Sequence, residues 1–466
     1  MNKNEIKHLY WRAGFGIKPS QLEELDGKSR KKIVAGLFEN SSEYSPIQLG
    51  KEWEMEDYDR KKMSKAKRKE LKKKHRLKLV NVNNEWLTRM SFGKDFLREK
   101  MTFFWHDHFP SSFIFVKPIV LQNNTLRQHA LGNFRELLHA IAKDPLMLVY
   151  LNNQENKKNA PNENFAREVM ELFTLGEGHY TENDIKEAAR AFTGWQTNLS
   201  LDFKFRTELH DSGTKTIFGK TGKFGGEDVI NMILENKQTA RYIAEKLYKF
   251  FVNEQGDAEK VEHLATIFYD NDYEIQPVLE EIFLSDWFYD AQHIGSKIKS
   301  PIELLAGLNK SFDLEFPDVK AHILAQKILG QILLKPPNVA GWPSGRAWID
   351  SSSLLYRMKL PQLFLLGKEI PIKAKEEFDA AEKGLFGKYS KKDKVITRVN
   401  WEDATAYFAQ FSREERIQEM AEVYWNVNLP VAIAKGLTNK FSTLNDEEFL
   451  KLGTLALLGM PEYQTC

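Results

Sequence analysis

The sequence predicts a mainly α-helical protein, a large bundle-like globule with one small β-hairpin insertion. In segments such as residues 231–251 and 261–283, apolar residues recur every three or four positions, which is the period of an amphipathic helix. Residues 201–210 alternate apolar with polar side chains instead, the period of a half-buried strand. A turn at 211–213 then returns the chain along 214–218 as the second strand. The chain of 466 residues, 42% of them apolar, is long enough to bury a large core.

The distribution of charge sets the predicted organisation. Residues 60–78 contain twelve Lys or Arg and one acid, whereas the rest of the chain carries 55 basic and 64 acidic residues. We assign a basic helical segment to residues 52–80, within a first domain of residues 1–370 that also holds the hairpin at 200–219. A lysine-rich stretch leads from there to a C-terminal helical cap, residues 371–466, packed on the same body. The basic segment is a solvated face, a surface for an acidic partner, or a contact to a membrane surface. Among acidic partners, nucleic acid is the less favoured kind.

Composition and motifs exclude several classes of protein. The single cysteine, Cys466, has no partner for an intrachain disulfide. No apolar run approaches the ~20 residues of a membrane-spanning helix, and residues 1–15 lack the apolar core of a secretory signal, so we expect a cytoplasmic protein. Neither His-Glu-x-x-His nor Gly-x-Ser-x-Gly occurs, which argues against the metalloproteases and serine hydrolases that these motifs mark.

The strongest group of candidate catalytic residues is His106, Asp107 and His108. An aromatic helix leads up to them, and Pro110 disfavours helical backbone at Phe109, so we expect the helix to end here. Two histidines two positions apart diverge on a regular helix but converge in extended or frayed backbone. There they can ligate one metal ion, or act as an acid–base pair beside the aspartate. The alternative is structural, with the histidines satisfying the last carbonyl groups of the helix.

Two further groups of candidates follow along the chain. On the helix predicted at residues 162–176, Glu168 and Glu171 lie three positions apart and suit metal ligation or acid–base catalysis. Arg167 beside them would lower a carboxylate's pKa and hold an anionic substrate. The alternative for this helix is a ladder of ion pairs on a solvated face. His210 and Asp211, at the tip of the predicted hairpin, are either a ligand and base or simply turn residues.

If these residues converge, the chemistry of their side chains indicates a divalent metal site. We predict zinc, iron or manganese held by His106, His108, Glu168 and His210. The protein would then be a metal-dependent hydrolase or oxidoreductase using a His/Glu/Asp cluster, near a loop at 335–349 that either walls a pocket or plugs the core. The open alternative is a non-catalytic binding or assembly protein, with structural ion-pair networks and a basic partner-binding face.

Short motifs spread over most of the chain match, in order, the pattern of one bacterial family. They occupy residues 8–16, 104–109, 162–176 with 180–181 and 191–195, 210–219, 239–247 and 336–343. On these residues the chain resembles the family called domain of unknown function 1800 (DUF 1800). The partner is an unknown small molecule or a protein. The resemblance implies a largely helical fold and points, for a protein partner, to a sulfatase- or phosphatase-like protein encoded nearby. It names no reaction and carries no catalytic residue over; many relatives are exported, whereas no signal is visible here.

Overall fold

Helices dominate the fold. In a computed structural model that describes residues 1–50, 53, 64–198, 200–366 and 397–466, those residues form 21 α-helices and four short β-strands. The predicted fold class, mainly α with a small β insertion, is therefore confirmed. The helices are α1 (Lys3–Arg12), α2 (Pro19–Leu25), α3 (Arg30–Asn40), α4 (Lys65–Phe92), α5 (Phe96–His108), α6 (Val116–Gln128), α7 (Phe134–Ala142), α8 (Pro145–Tyr150), α9 (Asn164–Met170), α10 (Glu182–Ala191), α11 (Gly226–Glu235), α12 (Lys237–Phe251), α13 (Ala258–Asp270), α14 (Ile275–Leu284), α15 (Pro301–Phe312), α16 (Lys320–Ile328), α17 (Ser351–Leu365), α18 (Glu402–Phe408), α19 (Arg413–Tyr424), α20 (Val431–Lys440) and α21 (Asp446–Leu458).

Helix α5 is packed on all sides and carries the first group of candidate residues. Twelve of its 13 residues are buried, which is typical of a central helix. Burial of charged side chains is costly unless they are paired. Glu99 accepts hydrogen bonds from Arg127 Nε and from the Trp86 indole, both at 2.7 Å, and Lys100 donates to Glu303 at 2.5 Å. These contacts hold α5 against α6, α4 and α15.

The β insertion consists of two antiparallel pairs rather than one hairpin. Strands β1 (Trp195–Thr197) and β2 (Phe203–Phe205) form the first pair, and β3 (Lys215–Ile217) and β4 (Lys220–Gly222) the second. The insertion lies where the sequence predicts it, but β2 pairs with the residues before it and not with the predicted return strand at 214–218. Side-chain packing accounts for the difference, because the ring of Phe203 lies edge-on to the buried ring of Trp195 at 5.4 Å.

Only part of the predicted basic segment is described. Helix α4 begins at Lys65, where the Ser64 side chain caps it by accepting the amide of Lys67 at 3.2 Å. Residue 52 and residues 54–63 lie outside the described residues. The lysines of the first turns of α4 are exposed, whereas the half of the helix from residue 82 onward packs into the core. Partner binding by this basic face stays a prediction.

The predicted domain boundary at residue 370 also lies outside the described residues, in the range 367–396. The helices beyond it pack on the N-terminal part of the chain. Lys7 of α1 donates to the carbonyl of Trp425 at 2.6 Å, and the Trp425 indole donates to the carbonyl of Leu457 at 3.1 Å. The buried apolar residues of both parts belong to one cluster. Among the described residues, no helix combines the length and the apolar character needed to cross a membrane.

Candidate functional site

A cavity of about 440 Å³ lies between α5, α12, the start of α15 and the loop at 335–349. The two tryptophans of that loop line it, which is the first of the two alternatives that the sequence left open for this loop. The cavity combines aromatic walls with ionisable groups, a composition common in small-molecule sites. Its aromatic side chains are Phe103, Phe104, Phe250, Trp342 and Trp348, and its ionisable ones are Asp107, His108, Lys246, Lys249, Glu254, Lys297 and Glu303.

Helix α5 continues through His108 instead of fraying before it, so the two histidines do not converge. On regular helical backbone, residues two apart diverge. His106 Nε2 accepts the amide of Leu334 at 3.2 Å, and its ring lies between those of Trp86 and Trp342, at 5.2 and 5.4 Å. Burial, with a smaller effect of the charge on Arg127, lowers the pKa of His106 to about 3. His106 is therefore a neutral residue that anchors the start of the aromatic loop.

Asp107 also binds the aromatic loop, at a position that only glycine fits. Its Oδ1 accepts the amide of Trp342 at 2.7 Å, and the described residues give Oδ2 no hydrogen-bond partner. The preceding residue, Gly341, has φ +81°, and a Cβ there would overlap Asp107 Oδ1. Burial raises the pKa of Asp107 to about 6, although the Trp342 amide and Lys246 act against this shift. A carboxyl group with such a pKa exchanges protons near neutrality.

His108 joins α5 to α12 and to a single turn of π-helix, Glu171–Leu175. Its Nε2 lies 3.0 Å from the carbonyl oxygen of Phe173, and its Nδ1 lies 3.2 Å from Lys246 Nζ. Because a carbonyl oxygen only accepts, Nε2 carries the proton and Nδ1 accepts from the lysine. Burial, followed by the charge on Lys246, holds the pKa of His108 well below its usual value. His108 is therefore neutral and orients the ammonium group.

Lys246 is the residue of the cavity that the other side chains position. Besides His108, it donates to the carbonyl oxygen of Leu172 at 3.4 Å, and its Nζ lies 4.9 Å from the centre of the Tyr242 ring. The carbonyl of Leu172, which binds Lys246, and that of Phe173, which binds His108, both belong to the π-turn. Such an irregularity is often found at functional sites. Burial lowers the pKa of Lys246 to about 8, opposed by the charge of Asp107. Lys246 and Asp107 therefore have pKa values on either side of neutrality.

On the far side of the cavity, Glu303 binds two lysines. Its Oε1 accepts from Lys100 at 2.5 Å and from Lys297 at 2.9 Å, and its Oε2 accepts the amide of Ser300 at 2.8 Å. Burial alone would raise the pKa of Glu303, but the two lysines outweigh it and hold this pKa well below its usual range. The carboxylate is ionised and fully engaged, so its role here is to hold Lys297 at the cavity wall.

The side chains of Arg167 and Glu168 on α9, and of Glu171 on the π-turn, lie outside this cavity. Arg167 donates to Glu182 at 2.7 and 2.9 Å and to Glu163 at 3.3 Å, as in the ion-pair ladder. Glu171 accepts a hydrogen bond from the Tyr180 hydroxyl. Burial and the charge of Glu171 raise the pKa of Glu168, with Arg167 acting against the shift. The segment contributes to the cavity through the backbone carbonyls of its π-turn, not through these side chains.

His210 and Asp211 also have partners away from the cavity. His210 Nδ1 donates to the carbonyl of Thr193 at 2.9 Å. Asp211 accepts from Arg190 Nε at 2.7 Å and from the amide of Gly213 at 2.8 Å, so it fixes the turn to α10. The Arg190 side chain, by these hydrogen bonds, lowers the pKa of Asp211. These contacts match the alternative in which His210 and Asp211 are turn residues and not a ligand and a base.

The described residues do not form the predicted metal site. Among them, no three side chains of the types His, Cys, Asp or Glu lie close enough to share an ion. The predicted ligands His106, His108, Glu168 and His210 each contact different neighbours, as described above. The donor set therefore does not fit zinc, iron or manganese.

Sequence reasoning missed the lysines and two carboxylates of the cavity, Glu254 and Glu303. Lys246 lies in the motif at 239–247, but a lone lysine on an amphipathic helix usually faces solvent. For Glu303 a local signal exists, since Ser300 and Glu303 form a capping box with Pro301 in the first turn. That signal predicts the start of a helix and not the burial of the carboxylate against two lysines.

The described residues form a mainly helical protein with a cavity lined by aromatic and ionisable side chains. The chain belongs to the family described as "Protein of unknown function (DUF1800)", whose model matches residues 8–465. The resemblance seen in the sequence is thus confirmed over nearly the whole chain. No curated protein matches the sequence, and neither does any solved structure.

Proposed function

We propose that this protein is an enzyme that moves protons on a small carbonyl compound held in the cavity. Asp107 acts as the base that removes a proton from the carbon next to the carbonyl group. Lys246 acts as the acid that donates a proton to the carbonyl oxygen as negative charge develops there. The observation that carries the proposal is the presence of both groups, held by hydrogen bonds and partly buried, at the wall of one cavity.

The hydrogen bonds divide the work between the two groups. Asp107 uses Oδ1 to accept the Trp342 amide, which leaves Oδ2 to accept a proton. Lys246 uses two of its three N–H bonds on His108 and on the carbonyl of Leu172, which leaves one for a ligand. His108 is a positioning residue, because as a neutral ring it aims the ammonium group without competing for the proton.

The pKa values suit this division at neutral pH. With a pKa of about 6, Asp107 is mostly ionised at pH 7 and ready to accept a proton. With a pKa of about 8, Lys246 is mostly protonated and ready to donate one. A general base and a general acid work best when their pKa values lie near the working pH. After the reaction, exchange with solvent returns one proton to the lysine and removes one from the aspartate.

Hydrogen–deuterium exchange at carbon tests the proposal without a known substrate. The full-length protein is incubated in D₂O with a mixture of small aldehydes, ketones and oxo acids, and mass spectrometry follows deuterium entering each compound. We expect the wild type to accelerate exchange in at least one compound. Asp107→Asn should slow that exchange about 100-fold or more, and Lys246→Met should also slow it. Asp286→Asn changes an exposed aspartate paired with Arg30 and should match the wild type.

Two results would contradict the proposal. One is a wild type that exchanges none of the compounds above the rate in buffer, which would favour the non-catalytic binding alternative. The other is an Asp107→Asn protein as active as the wild type. Circular dichroism of each variant separates loss of catalysis from loss of fold.

A further inference from the structure

We propose that the Lys297 end of the cavity binds an anionic group of the substrate, a carboxylate or a phosphate. This inference rests on the proposed function, because it assigns the substrate's reacting carbonyl to the Asp107 end. The compound would then be a small carbonyl acid or a phosphorylated carbonyl compound of a size that about 440 Å³ admits.

The argument begins with a cluster of buried positive charge behind this wall. Five cationic side chains there interact electrostatically with the single carboxylate of Glu303. All five are less than 9% exposed. They are Arg12, Lys100, Lys297, Lys299 and Arg357, and we call them the basic cluster.

The negative charge around the basic cluster is too small to balance it. Among the described residues, the carboxylate side chains that act on it are Glu303 and Glu254. Two carboxylate side chains against five cations leave an excess of positive charge in a buried region, where an uncompensated charge is costly. Burial lowers the pKa of Lys299 to about 7 and that of Lys100 to about 8, as expected for ammonium groups short of counter-charge.

Unused hydrogen-bonding capacity in the cluster indicates the same shortage independently. Arg12 makes its three hydrogen bonds through Nη2 alone, to the carbonyls of His293 and Cys466 and to the Ser296 hydroxyl. Its buried Nε and Nη1 have no partner among the described residues, and neither has Nη1 of Arg357. Buried guanidinium nitrogens are normally hydrogen-bonded.

Lys297 is the member of the cluster that reaches the cavity. It donates to the same Oε1 of Glu303 that accepts from Lys100, so two ammonium groups share one oxygen atom. The Lys297 ammonium group lies 4.2 Å from the centre of the Phe250 ring, another wall of the cavity. An anionic ligand group beside Lys297 would add the missing negative charge through charge-assisted hydrogen bonds.

Anion titrations of the full-length protein test the inference. Calorimetry measures binding of inorganic phosphate and, separately, of malonate, with sodium chloride keeping the ionic strength constant. We expect saturable binding of one anion or both, and the preferred anion indicates whether the substrate is phosphorylated or carboxylated. Lys297→Met should weaken binding at least about tenfold, whereas Lys297→Arg should keep it. Lys220→Met, which removes an exposed lysine paired with Glu235, is the matched control and should bind like the wild type.

Wild-type protein provides a second measurement in case Lys297→Met does not fold. Crystals soaked in the anion that binds should show it within hydrogen-bond distance of Lys297 Nζ. The inference is overturned if neither anion binds, if Lys297→Met binds as tightly as Lys220→Met, or if the anion lies elsewhere. Asp107→Asn should bind the anion at least as tightly as the wild type. Anion binding that depends on Lys297, without deuterium exchange, would therefore refute the proposed reaction and leave the anion site standing.

Discussion

Replacing Asp107 by asparagine should abolish catalysis and yet stabilise the folded protein. Burial raises the pKa of Asp107 to about 6 from its ordinary value of 3.8, so keeping this side chain ionised costs folding free energy. A shift of this size corresponds to an upper limit of about 3 kcal/mol. Asparagine removes the charge and keeps an oxygen that can accept the Trp342 amide. The gain in stability at neutral pH should therefore lie between about 1 and 3 kcal/mol.

The dependence of this gain on pH follows from proton linkage. Because the folded-state pKa is raised, the folded protein binds the Asp107 proton more tightly than the unfolded chain does. Stability therefore falls as pH rises from about 4 to about 6, and the full cost is present above that window. The advantage of Asp107→Asn should be largest at pH 7–8, roughly half as large at pH 5, and small near pH 4.

Urea unfolding at several pH values measures the effect. The free energy of unfolding of wild type and variant is compared between pH 4 and pH 8. Asp211→Asn provides a control of opposite sign, because hydrogen bonds from Arg190 lower the pKa of Asp211. That variant should lose stability at neutral pH and approach the wild type in acid. A difference between Asp107→Asn and wild type that stays constant across this range, or a variant less stable at pH 8, would refute the reasoning.

Three further outcomes are expected. Glu303→Gln leaves Lys100 and Lys297 buried without their carboxylate and should cost about 3–5 kcal/mol in urea unfolding. Because the pKa of Glu303 is lowered, its contribution is present above the unfolded value of about 4.5 and is lost as pH falls, so variant and wild type should converge in acid. Gly341→Ala places a Cβ against Asp107 Oδ1 at φ +81° and should lower the free energy of unfolding by about 1–3 kcal/mol. The same clash should slow deuterium exchange at carbon. Calorimetric melting measures the first effect and the D₂O assay the second. The exchange rate of the wild type should rise through pH 6 and fall through pH 8, because the base must be ionised and the acid protonated, and a monotonic profile would contradict the pairing.

The helical fold could be predicted because its signals are local. Apolar periodicity marks segments such as α12, and a capping box marks the start of α10 at Thr181. The pairing of the β insertion was harder, because it depends on the contact between Phe203 and Trp195, which local alternation does not show. Strands of three residues carry too little pattern to specify their partner.

The candidate site could be predicted only in part, for a related reason. Of the eight candidate residues, Asp107 and His108 line the cavity. A polar side chain on a buried aromatic helix must find a polar partner or a cavity, and this makes such residues good candidates. The carboxylates of Glu168 and Glu171 suggested ligands by their type and spacing, but spacing does not say which face of a helix meets the cavity. Lys246 looked like an ordinary surface lysine, since its burial arises from the packing of α12 against distant segments.

The three adjacent residues from His106 to His108 bind different segments around the cavity. His106 binds the amide of Leu334, just before the aromatic loop at 335–349, and Asp107 binds the amide of Trp342 within it, while His108 binds the π-turn and Lys246. Because these ring nitrogens bind backbone groups and Lys246, and the two rings diverge on the helix, the proximity of the histidines in sequence is no sign of metal ligation. It reflects instead a helix end that must connect two walls of a cavity and leave one carboxylate between them. On this argument, replacing either histidine should disturb the position of the acid or of the base and not the affinity for a metal ion.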